Sequence, residues 1–507
     1  MPEVFPLTRS ADSPTASLPP RSARRAAGRA DEARGVDGRH HAANGRGAAP
    51  GRAAWEWLAL AVVLGLALWL RLAFVRTVDV PNFADPLDYQ ARGLHFATHF
   101  DFRGSSYRAP GYVAFVGLHY WLFGFSDRPI YLTQALLSTV LVLLLYLTAR
   151  RAFGLGAGLT AGALAAFFPP FVGYAGALFA EVLFLTLTTL GVWLAVEADA
   201  RLAASPPEAS QRLSGWKRSA RWAAGSGVAL GLAALTRSIV LPLAVLLPLW
   251  LAVPYPPGRW GPRPEPAADG RPAGHPAPWQ VRLKVGTVAF GAFLAVLLPW
   301  TFRNMVVFHR LVPVDTVAGL NLLIGNHPRA NGTFSAIDYL DAYQKAVWNP
   351  NEAERDKLFR QEAVRYIRSN PGAFLRLTVL RWRAFWAQVT DYIEPLYHWE
   401  RIPLVGRHGV VVLYQTVLSA LGLAGVALSW RHRHALLFGL GALYVALAQS
   451  LFYEVPRYRL PAVPFLILLA AYLVSQRPRW WLVPGLALAG VFFFWLVITR
   501  VLIGPLA

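Results

Sequence analysis

The sequence predicts an all-α polytopic membrane protein: a bundle of about 11 transmembrane helices, interfacial helices in the first external loop, and one external domain, α-rich or mixed. Three observations carry this expectation. The 507 residues are 55% hydrophobic and only 15% charged, with a mean hydropathy of +0.37, which does not suit a soluble fold. From Trp55 onward, apolar stretches near the roughly 20-residue length of a bilayer-spanning helix recur with almost no charge inside them. Much of the net charge of +21 lies in short segments between those stretches, where Lys and Arg mark the cytoplasmic side. That placement reads as membrane orientation, and nucleic acid is not expected as a partner. The absence of cysteine excludes disulfides, thiolate zinc sites, iron–sulfur clusters and a cysteine nucleophile.

Residues 1–54 are rich in Arg, Ala, Gly and Pro and show no apolar periodicity, so they are expected to be a disordered cytoplasmic tail. A first span at 55–75 then leads to an external loop at 76–109. Two basic segments, 199–221 and 255–284, each carry five cations against two acids and are assigned to the cytoplasm. Four apolar stretches lie between the loop and the first of these: 110–125, 130–149, 156–173 and 177–198. An even number of crossings cannot join opposite faces, so one does not cross. The stretch 110–125 is too short and holds glycines, His119 and a Tyr-Trp pair suited to the interface. Residues 222–254 form two short spans turning outside at Thr236-Arg237-Ser238, and 285–302 exits again.

Residues 303–407 are the next long polar stretch, and with 76–109 they hold 14 of the 28 acidic residues, as an external domain would. Within it a helix is expected at 352–369, with Leu358, Ala363, Tyr366 and Ile367 on one face and a stop at Asn370-Pro371-Gly372. The stretch 373–388 interleaves Arg376, Arg381 and Arg383 with Phe374, Trp382, Phe385 and Trp386, a pattern for a helix lying at the headgroups. Spans at 408–430, 435–452, 460–475 and 480–503 complete the C-terminal transmembrane part, 408–507.

Ionisable residues at the outer ends of the spans are where chemistry is expected, because charge near a membrane interior is costly. The first loop offers Asp85, Asp88 and Tyr89, then Arg108 where the chain re-enters the apolar layer. Glu181 opens a span, Arg237 sits in the next outer turn, and Arg457 and Arg459 lie in the last outer loop. A carboxylate able to take a proton, beside guanidiniums that bind phosphate oxygens in a bidentate way, suits transfer from a phosphate-linked lipid. Each of these residues also has a plain reading, as a helix cap or a headgroup anchor. His327, His398 and the pair His432/His434 show no metal-ligand spacing on a shared face, and no phosphate-cradling glycine loop or dinucleotide fingerprint is present. No cofactor is indicated, and a divalent metal is left open.

The order of motifs is informative: Asp85-x-x-x-Tyr89, Arg108-x-Pro110-Gly111-Tyr112, Ala180-Glu181-Val182-Leu183-Phe184, Leu235-Thr236-Arg237, Pro299-Trp300-Thr301-Phe302-Arg303-Asn304, Gly319-Leu320-Asn321-Leu322 with Gly325-Asn326, and Arg457-Tyr458-Arg459-Leu460-Pro461. Together they resemble bacterial membrane glycosyltransferases of the type-C fold, relatives of the protein O-mannosyltransferases and of the lipid A aminoarabinose transferase. The resemblance implies an enzyme of the inner (plasma) membrane with an extracytoplasmic active site in residues 55–302. It would transfer a sugar from a polyprenyl-phosphate carrier, with inversion, to an acceptor protein, lipid or glycan. It implies Asp85 as general base and Arg108, Arg457 and Arg459 on the lipid phosphate, with Arg237, Glu181 and Tyr89 in support. Asp88, three residues on, is the alternative base. A lipid or sugar transporter or flippase, or a non-catalytic envelope assembly protein, is the competing class. A transporter is expected to carry midplane charges on broken helices and repeated halves.

Overall fold

Runs of Leu, Val and Ala without interrupting charge become long helices, and the polar stretches between them become short helices and turns at the bundle ends. A computed structural model describes residues 50–77, 85–203, 209–254, 277–386 and 409–476. Among these residues the chain is nearly all helical and forms no strand; one isolated parallel bridge pairs Thr333 with Glu454. In order, the helices are α1 (Pro50–Thr77), α2 (Asp85–His99), α3 (Pro110–Phe123), α4 (Arg128–Phe153), α5 (Leu155–Ala166), α6 (Pro169–Gly173), α7 (Glu181–Ala203), α8 (Ala209–Thr236), α9 (Leu241–Ala252) and α10 (Trp279–Phe308). Then follow α11 (Ala318–Gly325), α12 (Asp341–Val347), α13 (Glu352–Ser369), α14 (Pro371–Trp386), α15 (Gly409–Leu428), α16 (Arg433–Ser450), a 3₁₀ segment Pro456–Ala462, and α17 (Val463–Ser475).

Five stretches are long and apolar enough to cross a membrane: Ala54–Arg76, Arg128–Phe153, Glu181–Ala203, Trp279–Phe308 and Pro456–Ser475. Leu155–Ala166 and Pro169–Gly176 make a sixth if the pair, bent by 61°, is one span. The expected count of eleven is therefore not reached among the described residues. Helix α8 carries Arg212, Lys217, Arg218 and Arg221 in its first half, α16 starts with Arg433-His434, and Ser238–Ala252 and Tyr414–Leu428 are short. The last expected span, 480–503, lies outside the described residues, as do most of the N-terminal tail and of the second basic segment. The 14-residue α3 is below crossing length.

The bend between α5 and α6 has an identifiable cause. The chain breaks before Pro169-Pro170, which leaves carbonyls at the end of α5 without helical partners. Arg71, fully buried in α1, supplies them: its Nη1 donates to Ala166 O at 3.1 Å and its Nη2 to Ala165 O at 3.3 Å, while Nε donates to Ser138 Oγ at 2.7 Å. A charge within the last third of the span thus holds a broken helix, at a place the sequence pattern treated as plain apolar span.

The polar region 303–386 contains the expected helix as α13, capped by Asn351, whose Oδ1 accepts from Ala353 N at 3.0 Å and Glu354 N at 3.2 Å. Its buried face differs from the expected one: Phe359 and Ala363 are buried, whereas Leu358 is 40% exposed. Helix α14 also departs from a purely interfacial role. Arg381 is fully buried, donating to Gly325 O and, at 3.2 Å and 3.3 Å, to Ser450 O and Leu451 O. It ties α14 to the ends of α11 and α16.

Candidate functional site

Asp85 begins α2, with Pro86 and Asp88 in the same first turn, so two carboxylates sit at the positive end of the helix dipole. The i, i+3, i+4 spacing places Asp88 and Tyr89 on the face that Asp85 occupies. Arg108 precedes α3 and reaches this face: its Nη2 donates to Asp85 Oδ1 at 2.5 Å and its Nε to Asp88 Oδ2 at 2.7 Å. The other Asp85 oxygen, Oδ2, lies 2.5 Å from Nη2 of Arg457 in the 3₁₀ segment. Asp88 Oδ1 also accepts from Arg92 Nε at 2.8 Å.

Tight backbone packing brings these segments together. A side chain at Gly111 would stand 2.8 Å from Leu235 O at the end of α8, so a glycine lets α3 seat against that end. This accounts for the Pro-Gly following Arg108. Arg237, which follows α8, pairs with the buried carboxylate of Glu181 at the start of α7, and its guanidinium lies 5.6 Å from the Tyr458 ring. Arg108 lies over the rings of Tyr89 and Tyr107 at 5.1 Å and 5.3 Å, and Arg457 over Phe179 at 5.1 Å.

These residues line a cavity of about 1450 Å³. Asp85, Tyr89, Arg108, Glu181, Arg237 and Arg457 form its polar end, and Leu246, Leu440, Leu443, Leu447 and Ile239 its apolar wall. Two expected site residues stand elsewhere. Asp88 is not on the cavity wall and holds Arg108 and Arg92 from behind. Arg459 lines a second, small cavity with Phe168, Phe385 and Trp386. Two charged wall residues were not singled out from sequence, Asp315 and Arg360. The sole sequence signal for Asp315 is that it precedes the Gly319-Leu320-Asn321-Leu322 motif by four residues, and Arg360, inside α13, has none.

Burial alone disfavours a charged Asp85, but the two guanidiniums outweigh it and hold the carboxyl down at about 2. In this arrangement Asp85 is ionised and both its oxygens are engaged. Burial acts with less opposition on Asp315, which is pushed up to about 6; the Ser238 hydroxyl and the Val317 N–H offset part of the effect.

Residues 107–260 match the family model described as dolichyl-phosphate-mannose-protein mannosyltransferase. The matched segment, less than a third of the chain, takes in Arg108, Glu181 and Arg237 but not Asp85 or Arg457. It supports a relationship to the type-C membrane glycosyltransferases. No curated protein matches the chain. Solved structures similar to it include the oligosaccharyltransferase AglB from Archaeoglobus fulgidus, in complex with an inhibitory peptide and a dolichol-phosphate, at 14% identity and a TM-score of 0.49. ArnT from Cupriavidus metallidurans bound to undecaprenyl phosphate is 18% identical with a TM-score of 0.44, and its apo state is 17% identical with 0.48. The alignments cover 89%, 90% and 89% of this chain but only 55%, 66% and 65% of those proteins. At scores below 0.5 these likenesses carry no weight for the fold or the activity.

Proposed function

We propose that this chain is a membrane glycosyltransferase that takes a sugar from a polyprenyl-phosphate carrier at the extracytoplasmic face. The acceptor is a hydroxyl or amine of a protein, lipid or glycan, and the configuration at the anomeric carbon is inverted. The observation that carries the reading is the seating of both Asp85 oxygens on two arginines on the wall of a large cavity that also has an apolar face. The name of the family matched by residues 107–260 points to the same class of lipid-phosphate donor.

The arrangement suggests how donor and base cooperate. A lipid phosphate entering the cavity competes with Asp85 for Arg108 and Arg457, since a guanidinium fork fits phosphate oxygens as well as carboxylate oxygens. As the arginines turn to the phosphate, a lone pair on Asp85 becomes available to the acceptor. Asp85 then removes the acceptor proton while the acceptor oxygen or nitrogen bonds to the anomeric carbon and the carbon–oxygen bond to the phosphate breaks. The electron pair of that bond leaves on the phosphate, where the arginines stabilise it. Arg237, neutralised by Glu181, supports the same end of the cavity.

Mass analysis of envelope glycans in cells with and without the protein tests this reading. Deletion should remove a sugar, wild-type protein should restore it, and Asp85→Asn protein expressed at the same level should not. An unchanged glycan profile in the deletion strain would overturn the proposal in favour of an assembly or transport role.

A further inference from the structure

Asp315 lies in the loop between α10 and α11, and it differs from the other carboxylates of the cavity wall. Asp85 and Glu181 are each paired with arginine, whereas Asp315 forms no ion pair among the described residues. The Ser238 hydroxyl and the Val317 N–H act on its carboxylate, which is half-buried on the cavity wall and so remains within reach of a ligand.

The loop that carries Asp315 is firmly held. Asn304 Nδ2 donates to Val312 O at 3.0 Å and Val314 O at 3.2 Å, and Trp300 Nε1 donates to Val314 O at 2.8 Å. Thr301 Oγ1 donates to Pro313 O at 3.0 Å, and Thr316 N donates to Ser106 O at 2.9 Å. The Pro-Trp-Thr-Phe-Arg-Asn motif at 299–304 thus clamps the loop by three of its side chains. A carboxylate presented to a cavity from a fixed backbone is suited to selecting a ligand group, because little ordering remains to be done on binding.

Asp315 also stands beside the phosphate end. Arg237 and Asp356 are the charged groups that act on it, and Arg237 in turn neighbours Glu181 and Tyr458. On the wall, Asn321 and Arg360 add an amide and a guanidinium, the latter paired to Asp356 at 2.5 Å, and Phe334 adds an aromatic face. Acceptor, donor and aromatic surface together suit a ring bearing several hydrogen-bond donors.

We propose that Asp315 is the sugar-selecting residue of this cavity, accepting a hydrogen bond from a hydroxyl or protonated amino group of the sugar carried on the donor phosphate. This rests on the glycosyltransferase reading above and deepens it. The residue acts on binding of the sugar, not on the phosphate and not on proton removal.

Direct binding to the purified full chain in lipid nanodiscs tests the subsite. The probes are bare polyprenyl phosphate and polyprenyl phosphate carrying mannose, glucose or glucosamine. Wild-type protein should bind at least one sugar-bearing lipid about 10- to 100-fold more tightly than the bare phosphate, the range expected for hydrogen bonds to a charged acceptor. Asp315→Ala should erase that difference while leaving affinity for bare polyprenyl phosphate within about twofold. Asp315→Asn identifies the ligand group: its amide oxygen still accepts from a hydroxyl and keeps part of the preference, but it loses an ammonium as fully as alanine does. Asp315→Ala protein that keeps the wild-type preference overturns the subsite, as does a wild-type protein that does not prefer any sugar-bearing lipid. Equal loss of bare and sugar-bearing lipids in Asp315→Ala also overturns it, since the residue then only supports the fold. Wild-type protein that binds no polyprenyl-phosphate lipid overturns the glycosyltransferase reading, and the subsite with it.

Discussion

Each end of the helix bundle holds a carboxylate between arginines, and the two clusters differ in what lies beside them. At one end Asp85 sits between Arg108 and Arg457, and all three face the cavity. At the other end Asp199 of α7 accepts from Arg282 Nη2 of α10 at 2.5 Å, with Arg433 Nε and His434 Nε2 of α16 at 3.4 Å and 3.3 Å from its second oxygen. Asp199 and Arg282 are each 1% exposed, against 22% and 20% for Asp85 and Arg108, and none of the Asp199 cluster lines the cavity. The same residue types make a sealed lock in one place and an accessible site in the other. Motif chemistry alone does not distinguish them; access does.

The comparison also fixes how the chain alternates. Arg150 pairs with Glu56 and Arg151 with Glu197 near the Asp199 end, so the start of α1 and the ends of α4 and α7 share it. Asp85, Arg108, Glu181, Arg237 and Arg457 share the opposite end. If the cavity end is extracytoplasmic, the difference in labelling between ends should be nearly all-or-none. An impermeant thiol reagent on intact cells should label Ala336→Cys and spare Lys217→Cys, both exposed positions in a chain without native cysteine. The reverse pattern would place the cavity in the cytoplasm.

Substitution at the two carboxylates should separate function from stability. Asp85→Asn is nearly isosteric but cannot take a proton, so turnover should fall by about 10²- to 10⁴-fold, with a smaller loss of Tm than at Asp199 because Asp85 and Arg108 are partly exposed. Asp199→Asn leaves buried guanidiniums without their counter-charge and should cost about 3–5 kcal/mol of stability, with near-normal turnover per folded molecule. Turnover assays and thermal unfolding on the same preparations check both. Similar stability losses at the two sites would erase the distinction between lock and site.

A smaller contrast lies within the cavity end. Glu454 is buried, and burial pushes its carboxyl up from 4.5 to about 8, with Arg459 opposing the shift. Its folded-state affinity for protons exceeds the unfolded one, so stability falls as pH rises from about 4.5 to about 8, by at most about 1.4 kcal/mol per pH unit. Asp85, held at about 2, has the opposite sign: its contribution is present above 3.8 and lost as pH falls through about 2. Glu454→Gln should flatten the Tm-versus-pH curve between about pH 6 and 8, above the range in which Asp315, raised to about 6, contributes with the same sign. An unchanged slope would remove Glu454 as its source.

Much of this was legible in the sequence, for physical reasons that differ between regions. The long helices follow from uninterrupted apolar runs, and the stop of α13 from Asn370-Pro371. Asp85, Arg108 and Arg457 could be nominated because charge at the end of an apolar run is costly and therefore conspicuous. Asp315 could not, since it lies in a polar stretch where an acid attracts no notice. Arg71 and Arg381 were hidden for another reason: their partners are mostly backbone carbonyls, Ala165 and Ala166 for one, Gly325, Ser450 and Leu451 for the other, with only the uncharged side chains of Ser138 and Asn326 beside them. Carbonyls freed at helix ends leave no side-chain signature. Asp199 and Arg282, read as loop charges, became buried partners because α7 and α10 extend further than their apolar runs.

The competition between Asp85 and a lipid phosphate for the same two arginines is the most exposed part of the account, and binding of bare polyprenyl phosphate to wild-type and Asp85→Asn protein tests it directly. Removing the carboxylate charge frees Arg108 and Arg457, so the variant should bind polyprenyl phosphate more tightly than wild type, by about tenfold for one relieved charge-assisted contact, while giving no transfer product. Weaker binding by Asp85→Asn, or product formed at the wild-type rate, would contradict it.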